Sequence, residues 1–284
     1  MREIYLLNGK IKKASEINLL ILKRGFLLGD GIFETLISKN YKIFRFSDHY
    51  TRLKEGAEIC EIEVEEKEIL ESQIRRTLEK FKIKNGYIRI NVWRKKGERS
   101  MPEGRKSNIL IIIKNYKPYP SHFYQNGMKC MISKKIFKNE KSILYKIKSF
   151  NFIENILGKI EAKENKCQDA IFLNTKGFLT EGTVANLFFV KKDKIYTPSV
   201  ECGILPGITR KIVIQICRKN RIKIKEGKFK PEFLKECDEV FMTNTLMGIM
   251  PVKSIENFFK KKKAEMVEFI KEEYLKILKE ETYE

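Results

Sequence analysis

Apolar and polar residues alternate in short bursts along much of the chain, with longer helical periods between them. Residues 4–8 (IYLLN) and 35–46 (TLISKNYKIFRF) carry alternating or β-branched apolar positions, the second around a Ser-Lys-Asn turn, and predict a strand and a hairpin. Ser47-Asp48 then offers a helix start with an N-cap candidate, followed by Tyr50, Leu53, Ala57 and Cys60 at helical spacing. Residues 66–81 predict a second helix. Residues 87–93 and 108–113 read as strands joined by the loop KKGERSMPEGRKS. The segment 114–127, KNYKPYPSHFYQNG, holds two prolines and is the best linker candidate. Beyond it, strands at 128–133, 169–173, 186–190, 194–197 and 238–242 interleave with helices at about 152–165, 208–220 and 264–281. This order predicts an α/β (α+β) chain of two lobes, 1–120 and 121–284.

Composition narrows the class. No run of 18 or more uncharged apolar residues appears, and the start MREIYLLNGK lacks the apolar stretch and cleavage site of a signal peptide, so a soluble, cytoplasmic protein with no membrane partner is expected. Six scattered cysteines, without a C-x-x-C and with only two histidines, argue against a metal site and a disulfide framework. The net charge of +21 raises the question of nucleic acid. Lysines interleaved with glutamates along the whole chain instead suggest solvated faces, and nucleic-acid binding is not expected.

Several short stretches carry candidate chemistry. The glycine pair of GDGIFET lacks the third glycine of a dinucleotide loop, and no G-x-x-x-x-G-K-[ST] phosphate loop occurs. In ILPGITRKIVIQI, Ile208 and Thr209 would open a helix, leaving backbone N–H groups and a hydroxyl for a phosphate, or forming an ordinary capped helix. Thr243, Asn244 and Thr245 follow a predicted strand. Glu181 in FLTEGTVANLFFV would pair with a buried cation or sit in a turn. Arg52 lies on the helix of SDHYTRLKEG. In YKIKSFNFIENILGKIEA, Lys146 and Lys148 would point to the same face of an extended segment, and either could reach a ligand. A lysine, a phosphate cradle, an arginine and a carboxylate form the inventory for pyridoxal phosphate.

The order of these stretches resembles the fold-type IV pyridoxal-phosphate enzymes, the family of branched-chain aminotransferases, D-amino-acid aminotransferases and 4-amino-4-deoxychorismate lyases. The resemblance runs from Leu7-Asn8-Gly9 through RGFLLGDGIFETL and HYTRL to MPV at 250–252, and is strongest in IKSFNFIENILGKIEA, TEGTVANLFFV and LPGITR. It implies two lobes with the cofactor between them, in a homodimer. It places the Schiff-base lysine on Lys148 in the C-terminal lobe, phosphate contacts on Arg52, Ile208, Thr209 and Thr245, and the partner of the pyridine nitrogen on Glu181. After the last core strand, NTLMGIMPV has Gly248 where the aminotransferases carry a glutamate, and resembles the lyase pattern N-x-L-x-x-x-x-P-V. Arg89 and Arg99 align with cations that would hold the carboxylates of a lyase substrate. Tyr87-Ile88-Arg89 also looks like a substrate-carboxylate motif of the branched-chain aminotransferases. The resemblance thus implies a lyase forming 4-aminobenzoate and pyruvate, with an aminotransferase of branched-chain L-amino acids or D-amino acids as the alternative.

Overall fold

The computed structural model describes residues 3–13, 16, 23–98 and 101–283. The chain forms two compact units. The first comprises Met1–Lys117, Ile147–Asn151 and Leu278–Glu284, the second Pro118–Lys146 and Phe152–Ile277.

The first unit contains β1 (Glu3–Leu7), β2 (Lys10–Lys12), α1 (Lys23–Leu28), β3 (Gly31–Lys39), β4 (Lys42–Ile43), α2 (Phe46–Ile59), α3 (Lys67–Lys80), β5 (Gly86–Arg94) and β6 (Ser107–Asn115). Its sheet has the order β2-β1-β6-β5-β3-β4 with antiparallel neighbours throughout. Leu53 and Ala57 of α2 and Leu70, Ile74 and Leu78 of α3 bury their apolar stripes in one cluster with Leu36, Ile88, Ile90 and Ile111 of the strands. The hairpin turn is tighter than the sequence suggests: Asn40 and Tyr41 both adopt positive φ (47° and 66°), which matches the twist of the flanking strands. Helix α2 begins at Phe46 behind a left-handed Arg45, with no side-chain cap. Asp48 lies inside the first turn, where its charge suits the helix dipole, and accepts an ion pair from Arg45 at 3.5 Å.

The second unit contains α4 (Ser121–Asn126), β7 (Met128–Lys138), α5 (Ile153–Glu164), β8 (Asp169–Asn174), β9 (Leu179–Gly182), β10 (Asn186–Lys191), β11 (Lys194–Pro198), α6 (Ile208–Lys219), β12 (Ile224–Gly227), β13 (Glu239–Asn244), β14 (Gly248–Ile255) and β15 (Phe259–Lys260). Helix α7 (Glu265–Tyr283) follows. The sheet order is β12-β11-β10-β13-β14-β7-β8-β9, with β15 beside β14. Its parallel pairs are β11/β12, β14/β7 and β7/β8. Phe188 and Phe241 stack across neighbouring strands, with centroids 4.8 Å apart. Part of the expected linker is ordered, since 121–126 is helix α4. Strand β14 escapes a sequence reading because it opens at Gly248 and contains Pro251, two residues that weaken a strand signal.

The two-lobe division is not a single cut near residue 120, and Lys148 does not fall with the C-terminal portion. Residues 147–151 return to the first unit because their backbone bonds to the start of β3: Phe33 N–H donates to Lys148 C=O at 2.8 Å and Phe150 N–H to Gly31 C=O at 2.9 Å. The close approach depends on Gly31, where an added Cβ would stand 2.5 Å from the Phe150 ring and 2.8 Å from the Val92 carbonyl. The carbonyl belongs to a paired strand and has little room to give. Gly31→Val should therefore destabilise the protein by about 1–3 kcal/mol, read as a lower urea midpoint.

Candidate functional site

In the first unit the site is built on a buried carboxylate. Glu34 sits in the interior of β3, 1% exposed, among the apolar residues Ile32, Phe33, Leu36 and Ile37. Helix α2 supplies its partners from one face, three residues apart. Arg52 donates from Nε to Oε1 at 2.7 Å and from Nη2 to Oε2 at 2.8 Å, a bidentate pair. His49 Nδ1 lies 2.7 Å from Oε2. Burial alone would favour the neutral acid at Glu34, but Arg52 and His49 outweigh it and hold the carboxyl far below its usual range. The balance at His49 goes the other way: burial lowers its proton affinity more than Glu34 raises it, and Arg52 and Lys148 lower it further. Arg52, expected to bind phosphate, is thus anchored to the sheet first.

Lys148 and Arg89 meet on one ring. Lys148 Nζ lies 4.5 Å and Arg89 Cζ 3.8 Å from the centroid of Phe33. Arg89 is steadied by a 2.9 Å bond from its Nε to Asn91 Oδ1, and Tyr87 stands two positions earlier on β5, half-buried. The extended geometry expected for this segment fails at Lys146, which closes the 3-10 turn over Ile143–Tyr145 with helical backbone angles. Lys146 is exposed, whereas Lys148 is half-buried. Arg99 lies outside the described residues.

The second unit holds the other expected residues. Glu181 lies on strand β9 and is buried, so the turn reading does not hold: the strand pairs with β8 despite its polar sequence. Its carboxylate accepts from Lys138 Nζ, from Asn186 Nδ2 at 3.0 Å and from Leu205 N–H at 3.1 Å. Asn186 also donates to Leu205 C=O at 2.8 Å, two residues before the N-cap of α6. Ile208 and Thr209 open α6, both buried, behind Gly207 and without a side-chain cap. A Cβ on Gly207 would stand 2.0 Å from Asn186 Oδ1, so only glycine lets the helix start approach this amide. Thr245 is half-buried in the loop after β13, which Asn244 Oδ1 shapes by accepting from Leu246 N–H at 2.9 Å and Met247 N–H at 2.8 Å. Thr243 Oγ1 is buried with no hydrogen-bond partner among the described residues.

Sequence reasoning missed Glu34, His49 and Lys138. Glu34 carries a readable signal, since a carboxylate inside a run of core-strand residues demands a cation. Lys138 carries none: nothing in KKIFKNEK separates it from the other basic residues, yet its side chain is 3% exposed. Among the described residues no group of three or more His, Cys, Asp or Glu could hold a metal ion, and no helix is long and apolar enough to cross a membrane.

Residues 31–255 match the family described as amino-transferase class IV. The D-alanine aminotransferase of Bacillus licheniformis is 31% identical over 254 residues, 88% of each chain. The aminodeoxychorismate lyase of Bacillus subtilis is 29% identical over 255 residues, 88% of this chain and 85% of that protein. The crystal structure of the Escherichia coli branched-chain amino acid aminotransferase superposes with a TM-score of 0.92 at 24% identity, covering 98% of this chain and 95% of the other.

The Glu34 cluster has a pH signature. Its carboxyl is depressed in the folded chain, so its stabilisation is present above the unfolded carboxylate range and is lost as pH falls through and below it. Glu34→Gln should lower stability at neutral pH by roughly 3–5 kcal/mol, because Arg52 is left as a buried charge without its counterion. Urea unfolding across the acid range should also show a flatter pH dependence in the variant than in the parent.

Proposed function

The chain belongs to the amino-transferase class IV family, and from that premise we propose that this pyridoxal-phosphate-dependent enzyme is a 4-amino-4-deoxychorismate lyase, forming 4-aminobenzoate and pyruvate. The residues fit the cofactor. The uncapped start of α6 offers backbone donors to a phosphate, Glu181 is a buried carboxylate steadied by three donors, and Thr243 carries an orphaned buried hydroxyl beside this region. Pyridoxal phosphate, when bound, supplies an electron sink for the bonds around the substrate's amine-bearing carbon.

The protein's own groups divide the remaining work. Lys148 is proposed to hold the cofactor and, once released by substrate, to take the proton from the ring carbon that bears the amine. The carbon–oxygen bond to the enolpyruvyl group then breaks, the ring becomes aromatic, and the enolpyruvate gains a proton and leaves as pyruvate. Glu181 would keep the pyridine nitrogen protonated. Arg52, Ile208, Thr209 and Thr245 would bind the phosphate, and Arg89, Arg99 and Tyr87 would orient the substrate carboxylates.

One observation favours the lyase. Gly248 replaces the aminotransferase glutamate, and its backbone has φ +61°, with a Tyr274 ring carbon 3.0 Å from where a Cβ would stand. A glutamate there would meet both backbone strain and that ring. The second reading, an aminotransferase of branched-chain L-amino acids or D-amino acids, is favoured by Tyr87-Ile88-Arg89 and by the 31% identity to a D-alanine aminotransferase. We further propose a cytoplasmic homodimer. Ile153, Ile156, Leu157 and Ile160 are all exposed on α5 at helical spacing, which supports a covering second copy. All six cysteines are free, as suits a reducing compartment.

Lys148→Ala should eliminate the yellow lysine-bound cofactor; cofactor still fixed covalently by borohydride in that variant would reassign the lysine. The purified enzyme given aminodeoxychorismate and no keto-acid acceptor should release pyruvate and 4-aminobenzoate in equal amounts. No release, with D- or branched-chain amino acids converting the cofactor to its amine form, would sustain the aminotransferase instead.

A further inference from the structure

His49 is 1% exposed and sits at the centre of the first unit's charged cluster, yet its Nε2 is buried with no hydrogen-bond partner among the described residues. An unpaired imidazole nitrogen at that depth costs stability and calls for a reason. The other nitrogen is committed: Nδ1 lies 2.7 Å from the Glu34 carboxylate, which can only accept, so Nδ1 carries the hydrogen and Nε2 of the neutral ring presents a lone pair. The charged groups acting on the ring are Glu34 from β3, Arg52 from the next turn of α2, and Lys148 from the segment bonded to β3. Two of the three are cations that oppose a second proton on His49.

Resting on the cofactor reading above, we propose that His49 is a proton-coupled part of the phosphate site: it is neutral in the empty protein and takes a proton from solvent at Nε2 when a phosphate dianion is held beside Arg52. The arriving charge changes the balance of the cluster. A dianion next to Arg52 offsets the cation that suppressed the ring. The imidazolium then donates from both nitrogens, Nδ1 to Glu34 and Nε2 towards the incoming anion, and the orphan is satisfied. Cofactor affinity and the charge of His49 are therefore linked, so raising pH through the range between the ring's titration in the empty and the loaded protein weakens phosphate binding by up to about tenfold per unit for one proton taken up.

The chain has only two histidines, and the other, His122, is exposed, so nitrogen NMR of histidine-labelled protein resolves the question without a variant. The cofactor-free protein should show one solvent-shielded neutral ring protonated at Nδ1. Saturation with pyridoxamine 5'-phosphate, which carries the phosphate but does not condense with Lys148, should convert that ring to the doubly protonated form. Calorimetry of the same titration in buffers of different ionisation enthalpy should show His49→Asn, which retains a donor for Glu34, taking up one proton fewer than the parent. A ring that stays neutral while pyridoxamine 5'-phosphate binds and pyridoxal phosphate gives a yellow protein would overturn this inference alone. A protein that takes up neither compound would overturn the cofactor reading and the inference with it.

Discussion

Glu34 carries a charge into the interior of a core strand, and that charge is tolerable only because two residues of α2 meet it there. The requirement fixes more than a pair of side chains. Arg52 must spend two donors on the carboxylate in a planar fork, and His49 must face the same atom from one turn earlier, so the rotation of α2 against the sheet is set. The spacing in HYTRL is then a consequence of helical geometry, with positions 49 and 52 on one face over β3 and Leu53 in the apolar cluster. An arginine oriented in this way keeps its plane and position independently of any ligand.

The second unit solves a similar problem with an amide. Asn186 bonds both the carboxylate of Glu181 and the carbonyl of Leu205, and Gly207 closes against it, so the buried acid and the start of α6 move as one piece. Buried polar groups joined this way rigidify their surroundings when every member is satisfied. Lys138 completes the set from the end of β7, flanked by the rings of Tyr145 at 4.6 Å and Phe172 at 5.5 Å. Both units thus hold carboxylates by donors from separate elements, and neither relies on the surface lysines that dominate the composition.

Most of the secondary structure was legible because its periods are clean: α3, α5, α6, β5, β6 and β10 lie within a few residues of where the apolar pattern places them. The missed strands differ in cause: β14 carries Gly248 and Pro251, whereas β9 is specified by partners on other elements. Strand β9 is polar at Thr180 and Glu181 because both are satisfied elsewhere, Thr180 by the carbonyl of Phe172 at 2.9 Å and Glu181 by Lys138, Asn186 and Leu205. Among the site residues, Lys148 could be separated from Lys146 only by resemblance; in the structure Lys146 closes a 3-10 turn and is exposed, whereas Lys148 is half-buried. Lys138 and His49 had no local signature, because their roles come from burial and from partners on other elements.

Lys148 is fixed at its backbone. Hydrogen bonds from Phe33 and to Gly31 bracket residues 148–150, while the side chain ends near Phe33 on a four-carbon stem. The residue works as a crane with a bolted base: rotation about its side-chain bonds repositions the amine without any displacement of the main chain. The role proposed for Lys148 gains from such an arrangement, because each position of the arm is reached from the same fixed origin.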